Sequence, residues 1–190
     1  LRAIGEDGHP VAGFTAAEQA VLARAMARRV NTVTTSSAGR LFDAVAALLG
    51  VCPIASHEGR AAMLLQAEAE RAPQDNTAYP HRVLPGTPAV LDWEPILRGV
   101  LADCDAGVSV GVIAARFHRS LVHLLLDTCS FAPELPVVLA GGCFQNAWLL
   151  EHLVRALEQR GRTVWWPHRL PPNDGAIAVG QLLAAHWREE

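Results

Sequence analysis

No run of lysine or arginine, no C-x-x-C pair and no apolar stretch as long as a membrane span occurs in this 190-residue chain. The first absence, together with a formal net charge of -3, argues against a nucleic-acid binder held by phosphate neutralisation. The second leaves Cys52, Cys104, Cys129 and Cys143 far apart. Neither a zinc site nor a disulfide framework is indicated, and buried, reduced thiols are expected. The third argues against a helical membrane span. The first residues also lack the charged, apolar and small-residue regions of a signal peptide, so the cytoplasm is the default location.

The chain is 51% hydrophobic and 18% charged, enough apolar material for the core of one domain, or of a domain with a small appendage. Its opening, LRAIGEDGHPVAG, reads as the cut end of a longer polypeptide. Thr15 to Glu18 forms a capping box ahead of a helix to about Arg29. A helix with Leu41, Phe42, Val45, Leu48 and Leu49 on its apolar side follows and is closed by Gly50. The next helix is expected from Glu58 to Arg71. Residues 72–88 are rich in Pro, Asn, Gln, Asp and Thr and read as a surface excursion or an insertion. Val90 to Asp92 reads as a short strand, and Asp92 as the cap of a helix to about Ala102. Ser109 caps a long helix to about Ser130. His118 and His123 lie on it five residues apart, whereas two ligands on one helical face stand three or four apart. They are read as packed or surface imidazoles.

The C-terminal third is the most regular: strand Val137–Ala140, helix Asn146–Arg160, strand Thr163–Trp166, helix Asp174–Trp187. Strand–helix–strand–helix order predicts a partly parallel sheet covered by helices, with ligands beyond the carboxyl ends of the strands. PVVLAGGCFQN (136–146) and PPNDGAIAVG (171–180) both reach that edge. In the first, an apolar run ends in Gly141-Gly142, where a phosphate can approach the backbone. In the second, Asn173-Asp174-Gly175 presents a carboxylate and free N–H groups at a helix start. Together they read as two walls of one nucleotide pocket, although a Gly-Gly turn by itself also serves tight packing. Asp43, on a largely apolar helix, is either a ribose-binding carboxylate in a cleft or a solvent-facing partner of Arg40. Glu58 at a helix start would be favoured by the helix dipole whatever its function.

The segments SSAGRLFDAVAALLG, EGRAAMLLQAEA, ARFHRSLVHLLL, VVLAGGCFQNAWLLEHLVRALEQRG and PPNDGAIAVGQ resemble, in order, the C-terminal part of the HypF family of hydrogenase-maturation carbamoyltransferases. The resemblance runs from about Val30 onward. It implies that residues 1–190 are the C-terminal lobe of an actin/sugar-kinase/Hsp70-like (ribonuclease H-like) α/β fold, a mixed sheet covered by helices with extra helices, shared with TsaD-type enzymes. It further implies binding of ATP or carbamoyl-adenylate and passage of the carbamoyl group to the C-terminal cysteine of a HypE-like acceptor protein. Gly141, Gly142 and Asn146 match the family's nucleotide motif and should border the phosphates and adenosine. Asp43 and Glu58 match acidic positions facing the nucleoside, and Asp174 matches a carboxylate that helps hold a divalent metal ion, whether Mg, Zn or Fe.

The departures are also specific. No H-x-x-x-H, the family's other metal-ligand motif, occurs, and the modules that make carbamoyl-adenylate are missing, so the chain is expected to be catalytically incomplete alone. Cys143 stands where relatives have an aliphatic residue and reads as a packing substitution, leaving the nucleophile on the partner. Two other readings stay open: an O-carbamoyltransferase or TsaD-like relative with another acceptor, and a non-catalytic lobe that docks a partner. An uncovered apolar face would favour a homodimer.

Overall fold

The computed structural model describes residues 13–72 and 76–188. Most of the opening segment and Pro73–Asp75 of the polar excursion lie outside the described residues. The chain divides into two compact units, residues 1–67 and 68–190.

The first unit holds α1 (Ala16–Ala27), α2 (Ala38–Leu48) and most of α3 (Arg60–Arg71). The capping box forms as expected: the Thr15 Oγ1 accepts from the Glu18 N–H, and the Glu18 carboxylate accepts from the Thr15 N–H at 2.7 Å. No residue of α1 is buried. Helix α2 buries Phe42, Val45 and Ala46, spaced three and four apart on one face. At its end the Val51 N–H reaches back to the Ala46 carbonyl and the Gly50 N–H to that of Ala47, satisfying carbonyls that the helix leaves open. Helix α3 starts two residues later than the sequence predicts. Gly59 has φ +79°, outside helical geometry, so the ladder opens only with the Met63 N–H on the Gly59 carbonyl at 3.0 Å. Glu58 is therefore in the turn before the helix and not in its first turn.

In the second unit an antiparallel pair, β1 (Arg82–Leu84) and β2 (Val90–Asp92), precedes α4 (Glu94–Asp105) and α5 (Val110–Cys129). β1 belongs to the stretch read as a surface excursion or an insertion; most of its described residues are exposed, but one of them is an anchor. Tyr79 is only 7% exposed; its N–H donates to the Ser120 Oγ at 2.7 Å and its hydroxyl to the Asp103 carboxylate at 2.6 Å. The ring lies so close to Gly99 that a Cβ there would fall 2.3 Å from it. Composition revealed the turn residues but not this long-range anchor.

Helix α5 is the spine of the unit, packing on α4 and on α6 (Ala147–Gln159). Ile96 and Val100 of α4, Ile113, Phe117 and Leu121 of α5, and Leu149, Leu153 and Leu157 of α6 are buried. Each set recurs at three- or four-residue spacing, the period that gathers apolar side chains on one helical face. β3 (Val137–Val138) pairs in parallel with β4 (Val164–Trp165), and α6 is the crossover between them. Both strands are shorter than the sequence predicts. Leu139 still donates to the Trp165 carbonyl, but Gly141 then turns away to the Pro172 carbonyl. The described residues thus carry one antiparallel and one parallel two-stranded sheet in a predominantly helical α/β fold.

The last predicted helix is split. The Asn173 Oδ1 accepts from the Gly175 N–H, tightening Asp174–Ala176 into a 3-10 turn before α7 (Ile177–His186). No residue of α7 is buried. No described helix is long and apolar enough to cross a membrane.

Candidate functional site

The second unit brings together the two loops that the sequence singles out. The Gly141 N–H donates to the Pro172 carbonyl at 2.7 Å, and a Cβ on Gly142 would lie 3.8 Å from the Asn173 Cβ. Gly141 has φ +105° and ψ 155°, a region essentially restricted to glycine. A Cβ there would meet nothing within 4 Å, so glycine is required by the backbone turn and not by crowding. At Gly175 the reason is space, since a Cβ would stand 3.1 Å from both the Asn173 Oδ1 and the Pro171 Cγ.

After Gly141 the chain forms a single 3-10 turn, Gly142–Gln145, which feeds α6. The Gly142 and Cys143 N–H groups donate to no acceptor among the described residues, as the opening of a helical turn leaves them. The Asp174 carboxylate, exposed on the facing loop, makes no ion pair or hydrogen bond among the described residues. The arrangement therefore offers two backbone donors from one loop and a carboxylate from the other. Cys143 is half-buried, and burial pushes its thiol pKa up, away from the thiolate that a nucleophile requires. Cys52 is buried, whereas Cys104, Cys129 and Cys143 are only half-buried.

Asn146 closes the turn. Its side chain is 7% exposed; the Oδ1 accepts from the Leu149 N–H at 2.9 Å, capping α6, and the Nδ2 stands 2.9 Å from the His118 Nε2. His118 is fully buried and its Nδ1 lies 2.8 Å from the Ala114 carbonyl. Burial first, and the nearby His152 to a smaller extent, lower its pKa to about 4, while the Ala114 carbonyl and Glu70 oppose the shift. The ring is therefore neutral at physiological pH. Its burial follows from its place beside Ala114, Ala115, Phe117 and Leu121 on the buried side of α5. His123, the other imidazole on that helix, is exposed and edge-on to His81.

In the first unit, Asp43 is held by the Arg40 guanidinium at 2.9 Å, the pairing that helical spacing offers. Glu58 is exposed beside a small chain of hydrogen bonds in which Arg60 donates to the Ser56 Oγ at 2.9 Å and Ser56 meets the His57 Nδ1 at 3.0 Å. Sequence reasoning missed two contributors, the Pro172 carbonyl and the His118 acceptor. The first carries no residue-type signal at all. The second was legible only as a packed or surface imidazole.

Among the described residues no three His, Cys, Asp or Glu side chains converge as a metal site. Asp174 offers a single carboxylate, so the side chains described do not by themselves fit the divalent ion that the family resemblance implies.

A family model described as carbamoyltransferase, Kae1-like domain, second subdomain, matches residues 3–181. The chain is similar to carbamoyltransferase HypF of Synechocystis sp., with 39% identity over 163 residues, covering 85% of this chain and 21% of that protein. It is likewise similar to carbamoyltransferase HypF2 of Cupriavidus necator, with 37% identity over 194 residues, covering 87% of this chain and 24% of the relative. Among solved structures, full-length HypF in its phosphate- and nucleotide-bound form superposes with a TM-score of 0.84 and 34% identity, over 93% of this chain and 24% of that one. HypF of T. kodakarensis superposes with a TM-score of 0.73 at 24% identity, over 91% of this chain and 23% of that one, a likeness of fold. The chain thus spans 21% and 24% of the length of the two curated relatives named.

Proposed function

Since the chain belongs to the HypF carbamoyltransferase family, we propose that it is the nucleotide-binding lobe of a HypF-type enzyme, with ATP or carbamoyl-adenylate as its ligand. One observation carries this reading: the Gly141 N–H bond to the Pro172 carbonyl, which ties the Gly142–Gln145 turn to the loop that leads into Asp174. Paired N–H groups on a glycine turn suit phosphate oxygens, which need close backbone approach and preorganised donors.

In the proposed reaction, a cysteine thiolate of a HypE-like acceptor attacks the carbamoyl carbon of carbamoyl-adenylate. A C–S bond forms, the bond from that carbon to the phosphate oxygen breaks, and adenosine monophosphate leaves with the electron pair. The Gly142 and Cys143 N–H groups would stabilise the leaving phosphate. Asp174 would supply one ligand to a divalent ion completed by residues beyond this chain. Asp43 and Glu58 keep the role of hydrogen-bonding the nucleoside hydroxyls, which rests on their match to the family's acidic positions. The actin/sugar-kinase/Hsp70-like class is proposed for the fold, and the cytoplasm for its location.

A second reading, a lobe that docks a partner or a second copy without binding nucleotide, is favoured by α1 and α7, neither of which has a buried residue. Calorimetric titration of the chain with ATP and Mg²⁺, beside an Asp43→Ala, Glu58→Ala double variant, separates the two. Saturable binding that the double variant loses is expected. Absence of binding by the unaltered chain would favour the docking lobe.

A further inference from the structure

The buried imidazole of α5 has a role that neither the loop motif nor the proposed chemistry assigns. His118 lies 28 residues before Asn146 in sequence, yet its Nε2 is 2.9 Å from the Asn146 Nδ2. Both hydrogen-bond assignments are forced. The Ala114 carbonyl can only accept, so the His118 Nδ1 carries the proton; its neutral Nε2 is then a lone-pair acceptor and must face the amide N–H₂ of Asn146. The other end of that amide is fixed independently, because the Leu149 N–H can only donate and so requires the Oδ1. One side chain is thus clamped at both ends, by α5 and by the first turn of α6.

We infer that His118 is a positioning residue for the Gly141–Asn146 turn, acting through Asn146 and without touching the ligand. Asn146 is the last residue of the turn that Gly141 opens, and its own N–H donates to the Cys143 carbonyl at 3.2 Å. Where Asn146 is held therefore governs where the Gly142 and Cys143 N–H groups point. The Gly141 end of the turn is held by the Pro172 carbonyl, and the Asn146 end needs an anchor of its own. His118 supplies it from the best-buried helix of the unit. Its ring is wedged between Phe117 and Trp148, with centroids at 5.7 and 5.3 Å. This inference rests on the nucleotide-binding reading above.

The test is ATP titration of the chain carrying His118→Leu, which removes the acceptor, and His118→Gln, whose side-chain oxygen can replace it. Asn146→Ser is the third variant, because a serine keeps the helix cap and gives up the reach to His118. Val100→Ala in α4 serves as a control that lowers stability without touching the turn. Leaving a buried amide donor unpaired should weaken nucleotide binding by about tenfold in His118→Leu and in Asn146→Ser. Combining the two should cost no more than either alone, since both break one bond. His118→Gln should recover most of the affinity, and Val100→Ala should bind as the unaltered chain does. A nitrogen-15 spectrum should show the proton on the His118 Nδ1. Unchanged affinity in His118→Leu, an equal loss in Val100→Ala, or a proton on Nε2 would each overturn the inference while leaving the nucleotide reading intact. An unaltered chain that binds no nucleotide would overturn both. Should His118→Leu fail to fold, His118→Met, which keeps the apolar volume and removes the nitrogen acceptor, takes its place, with loss supporting the inference and retention sinking it.

Discussion

Helices α1 and α6 are almost equally well specified at their ends and differ completely in between. α1 begins with a full capping box and α6 with the Asn146 cap. At both C-termini, N–H groups beyond the last helical residue satisfy open carbonyls: Val30 on Ala25 and Arg162 on Leu157. Yet α6 buries Trp148, Leu149, Leu153, Val154 and Leu157, while α1 buries nothing. Local chemistry decides where a helix starts and stops. Whether it is held in place depends on an apolar face with something to cover, which α6 finds on α5.

The widest gap between the two helices should appear on truncating side chains. Leu153→Ala opens a cavity at a residue 1% exposed and should cost about 2–5 kcal/mol. Val21→Ala, at a residue 63% exposed in α1, should change stability by less than about 0.5 kcal/mol. Urea denaturation midpoints read both. Equal losses would mean that α1 is held by contacts as strong as those of α6.

The second test is pH between 7 and 5, which should act on α6 through its cap. The α1 cap carboxylate of Glu18, whose pKa the Thr15 hydrogen bonds hold below its ordinary value, titrates only at lower pH. The folded His118 pKa, about 4, lies below its ordinary value of 6.5. Between these values the unfolded chain takes up a proton that the folded chain refuses, so stability is fully present above about pH 6.5, falls as pH drops, and levels off below about 4. The total is on the order of 3 kcal/mol. His123, whose pKa is also lowered, by partial desolvation and by His81 and Arg119 nearby, adds in the same direction. The midpoint difference between pH 7 and pH 5 should therefore shrink in His118→Gln. An unchanged difference would place the titration elsewhere.

The same contrast explains what could be read from the sequence. Thr15 and Gly50 act on neighbours within a few residues, so their roles were visible in order along the chain. The parallel β3–α6–β4 unit was also visible, because a strand–helix–strand order permits few arrangements. The anchors were not. Tyr79 reaches Ser120 across 41 residues, and His118 reaches Asn146 across 28; nothing local marks either pair. Asp43 was legible in both its readings, and the Arg40 ion pair shows that the local partner is realised. Its role toward a nucleoside came from family resemblance and remains proposed.

The smallest expected effect sharpens the comparison most. Both helices end with a residue in the left-handed region, Gly161 at φ +71° after α6 and Arg29 at φ +55° after α1. A side chain at such an angle crowds the neighbouring carbonyl, at a cost of about 1 kcal/mol. Arg29→Gly removes that crowding but gives the unfolded chain more freedom, which returns part of the gain. The net stabilisation should be about 0.5 kcal/mol. Because α1 has no buried residue, this gain should be confined to α1. Amide exchange in its last turn should slow by about twofold, as that free energy implies, while the global denaturation midpoint stays fixed. A shift in the midpoint would show that α1 unfolds together with the rest of the chain and that its ends are coupled to a core which its own side chains do not enter.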